Sequence, residues 1–114
     1  MLAMLMGLKS ISPQQLHERM QYEALTVIDV NAEHSWLRAR VPGALHLGVD
    51  FDPAALPPDL ARGLVFYCSN ALCRKAPLAA RRAQKLGYTD VRVMAAGISG
   101  WSGARLPTHS GATD

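Results

Sequence analysis

Apolar residues fall into short runs separated by polar stretches rich in proline and glycine, and two of these runs show no polar alternation. "ALTVIDV" (24–30) and "LVFYC" (64–68) are continuous and β-branched or aromatic, as expected of strands buried on both faces of a parallel sheet. "ALHLG" (44–48) and "VRVM" (91–94) read as shorter strands. Between them, "SISPQQLHERMQ" predicts a helix with Ser12 as its N-cap and Pro13 at its first position. "HSWLRAR" predicts a helical turn or two, and the Pro42-Gly43 pair in "VPGA" then breaks structure. "VDFDPAALPPDLARG" reads as loop with one helical turn, and "APLAARRAQKLGY" as a helix closed by Gly87. Strand and helix alternate, which predicts an α/β fold with ligands bound beyond the carboxyl ends of the strands.

Composition adds bounds. A length of 114 residues is one domain with room for a core that needs no disulfide staples. Hydrophobic residues at 49% and charged residues at 18% describe a globular chain. The net charge of +3 is scattered except at Arg74-Lys75 and Arg81-Arg82, with no aromatic interleaving, so no nucleic-acid partner is expected. No run reaches membrane-spanning length, and "MLAMLMGLKS" lacks the basic n-region of a signal peptide, so no membrane partner is expected and a cytoplasmic location is. Cys68 and Cys73 are the only cysteines and lack a second Cys or His pair at zinc spacing.

The chemistry concentrates in "YCSNALCRKAP" (67–77). Cys68 ends a strand, a loop over residues 69–75 follows, and a helix begins. Such a loop offers successive backbone N–H groups, and the helix start favours an anion. With Arg74 and Lys75 beside it, Cys68 is expected to ionise readily and act as a nucleophile. Cys73 is expected to point outward as a spectator, the alternative being a resolving thiol that closes a disulfide.

From "ISPQQL" to "LPT" the chain resembles the rhodanese-like sulfurtransferases. Three stretches carry the resemblance: "VIDVNAEHSWLRARVPGALHL"; "LVFYC" with "AARRAQKLGYTDV"; and "AAGISGWSGARLPT". The resemblance implies a three-layer domain over residues 10–108, with a central parallel sheet and helices on both faces. Residues 1–9 would then be an extension and 109–114 a tail. It also implies Cys68 as the persulfide carrier and Ser69, Asn70, Ala71, Leu72, Cys73, Arg74 and Lys75 as the substrate-binding loop. A small anionic sulfur donor and a thiol or protein-thiol acceptor would be the partners, with no metal or organic cofactor.

The loop departs from the family's usual form. Arg74 lies one position further from the cysteine than the arginine of sulfurtransferases. Five residues separate Cys68 from Arg74, a spacing that resembles the phosphatases and arsenate reductases of the same fold, so an oxyanion enzyme is the rival reading. A non-catalytic interaction module is the second. Tyr67 stands where the oxyanion enzymes usually have a histidine. Asn31 and Arg40 replace an arginine and a histidine usual in the family. Asp29 and Glu33 are expected to orient turns and caps. Of the four histidines only His46 is expected near the loop, and there as a hydrogen-bonded rather than catalytic group. Trp36 and Trp101 are expected to pack, with Trp101 as a candidate wall of the pocket.

Overall fold

A computed structural model of the chain describes residues 8–113. Residues 1–7, which make up most of the segment read as lacking a signal peptide and most of the extension over 1–9, lie outside the described residues. Five strands, β1 (Lys9–Ser10), β2 (Leu25–Asp29), β3 (Leu45–His46), β4 (Gly63–Tyr67) and β5 (Val91–Val93), form one sheet in the order β1-β5-β4-β2-β3. Every pairing is parallel. The two continuous apolar runs, β2 and β4, are central neighbours, and all five residues of β4 are buried. β1 carries no strand signal because its two residues are exposed and polar, yet Lys9 pairs with Arg92 and Leu8 is buried beside it.

Four helices flank the sheet: α1 (Pro13–Arg19), α2 (Glu33–Arg38), α3 (Lys75–Lys85) and α4 (Gly97–Gly103), with a 3-10 turn at Pro53–Ala55. α1 starts at a capping box, in which Ser12 Oγ accepts from Gln15 N at 3.1 Å and Gln15 Oε1 accepts from Ser12 N at 3.0 Å. α3 ends as the sequence predicts, at Gly87 in the left-handed region with φ +108°.

Alternation along β4 separates the two sides of the sheet. Leu64, Phe66 and Cys68 belong to one apolar layer with Ile28, Val91, Val93 and the buried alanines of α3. Those alanines, Ala76, Ala79, Ala80 and Ala83, keep the helix close to the strands because they add little bulk. Val65 and Tyr67 belong to the other layer with Leu16, Val41, Met94 and Trp101, covered by α1, α2 and α4. The result is the expected three-layer α/β sandwich.

The C-terminal residues are tied down by Arg40. Its guanidinium is buried over the Trp36 ring and donates to the carbonyls of Trp36, Gly111 and Thr113 at 3.0, 2.9 and 3.2 Å. Its backbone pairs with His109 in an antiparallel bridge. Among the described residues no helix is long and apolar enough to cross a membrane.

Candidate active site

Cys68 is the first residue past the carboxyl end of β4, one step after Tyr67, which lies opposite Asp29 of β2. The next residues are clamped from two directions. Ile98 N and Ser99 N of α4 donate to the carbonyls of Cys68 and Ser69, both at 2.9 Å. From the turn after β2, Asn31 Oδ1 accepts from the Ser69 hydroxyl at 3.0 Å. Gly97 makes the first clamp achievable: its φ is +66°, and a Cβ there would lie 2.5 Å from the Ser69 carbonyl carbon and 2.7 Å from Asn70 N. Asn31 and Gly97 therefore position the loop. The sequence reading treats Asn31 only as a missing arginine and Gly97 only as one glycine of a closing motif.

Beyond Ser69 the loop folds back on itself. Asn70 Oδ1 accepts from Leu72 N at 2.9 Å and Asn70 O accepts from Cys73 N at 3.2 Å, a tight turn that leaves Leu72 90% exposed at its tip. The expectation of an inward ring of amides over 69–75 is corrected here, because two of those amides are spent on Asn70. The inward donors are instead the N–H groups of Ser69, Lys75 and Ala76. The latter two are the opening amides of α3, which has Pro77 at its third position and no side-chain cap.

Those donors serve two sulfurs. The amides of Ala76 and Ser69 favour ionisation of Cys68, those of Lys75 and Ser69 favour ionisation of Cys73, and the two thiols are near enough to perturb each other. Cys73, expected to splay outward, is half-buried against the core layer that contains Cys68. The turn at Asn70 returns it to the strand end.

The thiolate preference also differs from expectation. Burial pushes the Cys68 thiol up to about 12, and its bond with Cys73 adds to this, outweighing the amides of Ala76 and Ser69. Arg74 and Lys75, expected to hold a Cys68 thiolate, are exposed, so their charges act through solvent. For Cys73 partial burial works against ionisation. The Cys68 thiol, the amides of Lys75 and Ser69, and the Ser69 hydroxyl outweigh it, and the Cys73 pKa is lowered. The negative charge of the pair resides first on Cys73.

The remaining residues sort by face. Tyr67 points away from Cys68, accepts from Val41 N at 3.1 Å and donates to Asp29 Oδ2 at 2.5 Å, while Asp29 Oδ1 accepts from Asn31 N at 2.8 Å. Asp29 is thus an orienting group. Burial raises its pKa despite these bonds. Glu33 is exposed in the first turn of α2. His46 stacks on Trp36 at 4.7 Å and its Nε2 lies 2.7 Å from the Asn31 carbonyl, close to the loop's support and hydrogen-bonded as expected. Trp101 is fully buried on the opposite layer with Nε1 donating to Pro107 O at 2.7 Å, so it packs and walls no pocket at Cys68.

Two grooves flank the loop, one of about 430 Å³ between Ser12, Pro13, Ala71 and Ala96, the other of about 380 Å³ between Arg38, Ser69, Asn70 and Ser99. No group of three or more His, Cys, Asp or Glu side chains suited to a metal ion is found among the described residues.

Comparison with known proteins fits this geometry. The family model described as rhodanese-like domain matches residues 12–104. The Bacillus halodurans protein BH2092 superposes with a TM-score of 0.80 at 19% identity, over 90% of this chain and 77% of that one. The rhodanese-like domain of Anabaena sp. Alr3790 gives 0.77 at 19% identity, covering 92% and 87%. A Rhodopseudomonas palustris protein of unknown function, described as a possible tyrosine phosphatase, gives 0.73 at 21% identity, covering 90% and 86%. No curated protein sequence matches the chain.

Proposed function

The chain belongs to the rhodanese-like domain family, and from that premise we propose that it is a sulfurtransferase of the thiosulfate type. In this reading the Cys68 thiolate attacks the outer sulfur of a sulfane donor such as thiosulfate. The S–S bond of the donor breaks, sulfite leaves with the electron pair, and Cys68 holds the sulfur as a persulfide. A thiol, protein thiol or cyanide then accepts it.

The observation that carries the reading is the placement of the buried Cys68 between the end of β4 and the opening turn of α3, with a second thiol packed beside it. Fixed N–H donors suit a sulfur that is anionic before and after the transfer. The Cys68 proton must leave before attack, and Cys73, whose pKa is lowered, is the neighbouring base within reach of it. The exposed Arg74 and Lys75 supply positive charge at the mouth for an anionic donor.

Oxyanion chemistry, the rival suggested by the Cys68 to Arg74 spacing, calls for a loop whose amides converge on a tetrahedral group. Here the amides of Leu72 and Cys73 are committed to Asn70, which favours sulfur transfer. An interaction module needs neither the buried thiol nor its donors. Reduced protein incubated separately with thiosulfate, arsenate and an aryl phosphate separates the readings. Sulfite release is expected, and arsenite or phenol without sulfite would replace this proposal.

A further inference from the structure

We propose that Cys73 is a resolving residue. It attacks the Cys68 persulfide, closes a Cys68–Cys73 disulfide and discharges the bound sulfur as hydrosulfide, giving the site a second outlet that consumes a dithiol reductant. The proposal rests on the persulfide reading above and adds the fate of the sulfur when no acceptor is present.

Geometry carries it. The turn at Asn70, held by bonds of 2.9 and 3.2 Å, brings Cys73 back from the exposed loop tip to the strand end, where it packs against the layer that contains Cys68. Both cysteines are free thiols, Cys68 buried and Cys73 intermediate, so a reductant approaches from the Cys73 side. The Ser69 amide faces both sulfurs, with the Lys75 amide on Cys73 and the Ala76 amide on Cys68. One set of donors therefore spans the bond that would form. The Ser69 hydroxyl lies between Asn31 Oδ1 and the Cys73 sulfur, so its single proton can serve either. The lowered pKa of Cys73 makes it the better attacking thiolate of the pair.

The step balances. Cys73 thiolate attacks Cys68 Sγ, the bond from Sγ to the outer sulfur breaks, and that sulfur departs with the electron pair and the persulfide proton as hydrosulfide. The two cysteines are oxidised to a disulfide and the sulfane sulfur is reduced. A dithiol then reduces the disulfide through a mixed disulfide and restores both thiols.

The test charges reduced, desalted protein with stoichiometric thiosulfate under anaerobic conditions and without acceptor. Sulfite, hydrosulfide and intact mass are followed for wild type and Cys73→Ser. Wild type should release sulfite and then a matching amount of hydrosulfide, and end two hydrogens lighter with the peptides of Cys68 and Cys73 joined. Cys73→Ser should release sulfite, retain one added sulfur and give hydrosulfide only at background. Wild type that releases sulfite but keeps the added sulfur overturns the proposal and leaves the sulfurtransferase reading intact. Absence of sulfite counts against thiosulfate as donor. In that case inorganic polysulfide charges the protein, and hydrosulfide and disulfide no greater in wild type than in Cys73→Ser overturn the resolving role.

Discussion

Tyr67 and Cys68 are adjacent in sequence and both buried, yet alternation at the end of β4 sends them to opposite layers, and their polar tips meet different surroundings. The Tyr67 hydroxyl is locked between Val41 N and Asp29, and Asp29 is in turn held by Asn31 N. Tyr67 and Asp29 are the last residues of β4 and β2, and none of the four residues lines either groove beside the loop. Cys68 meets amides from a short loop and a helix start, and a second thiol that bears on its ionisation. Equal burial thus gives a stability element on one face and, in the proposed function, a reactive one on the other. What separates them is whether the partners can exchange a proton or a bond without unfolding anything.

The largest expected effect breaks the reactive side alone. Cys68→Ser keeps a polar atom for the amides of Ser69 and Ala76, so stability should change by less than about 1 kcal/mol. Sulfite release from thiosulfate should vanish, because the hydroxyl is a far poorer nucleophile at neutral pH. Sulfur loading that survived in this variant, found on Cys73 by peptide mapping, would reverse the roles assigned to the two thiols.

Gly97→Ala is expected to damage both properties, since Gly97 joins the loop to α4. The added Cβ meets backbone atoms at 2.5, 2.6 and 2.7 Å, which cannot swing aside as a side-chain tip does, and φ +66° is unfavourable in itself. Urea unfolding should show a loss of about 1–3 kcal/mol, with kcat/KM for thiosulfate down roughly tenfold or more as Ser69 shifts. Wild-type kcat/KM in this variant would separate the loop from α4.

Tyr67→Phe should do the opposite of Cys68→Ser. It leaves Asp29 Oδ2 and Val41 N without the partner they share, a cost of about 1–3 kcal/mol, while kcat/KM stays within about twofold. The pH dependence has a definite sign. Burial raises the folded pKa of Asp29, so its contribution favours the folded state below the unfolded value near 3.8 and is lost as pH rises through the folded pKa. Removing the phenol, which lowers that pKa, widens the gap. The deficit of the variant should therefore be larger at pH 7 than at pH 4, and a deficit independent of pH would mean that the carboxylate is not the group affected.

Legibility in the sequence follows the same division. The layers were readable because β2 and β4 are continuous apolar runs and because Ser12, Pro13 and Gly87 mark helix ends by local chemistry. β1 was not, since its two residues are strand only by pairing with β5. α4 was not either, because "GISGWSG" contains three glycines and owes its helix to docking of Trp101 into the core. At the site, Cys68 was legible from its place between strand and loop. The inward turn of Cys73 was not, because it depends on Asn70 capturing two amides. The high pKa of Cys68 depends on a burial that a count of nearby cations does not reveal.

The smallest expected effect concerns Arg74. Arg74 belongs to the loop expected to bind the substrate, and a bidentate guanidinium closing over the anion there would cost roughly tenfold to a hundredfold in kcat/KM on removal. In the folded protein Arg74 precedes the first residue of α3, accepts at its carbonyl from Leu78 N at 3.2 Å, and leaves its side chain exposed. A charge in that setting is screened, and its attraction for a dianion is on the order of 1 kcal/mol. Arg74→Ala should raise KM for thiosulfate about threefold to tenfold with kcat little changed, and Lys75→Ala should do the same more weakly. Raising the ionic strength should shrink the difference from wild type, because steering from an exposed charge weakens with salt. A hundredfold fall in kcat that persists at high salt would show instead that the guanidinium closes directly over the bound anion. Arg74 would then belong with Cys68 on the reactive side of β4 rather than at its mouth.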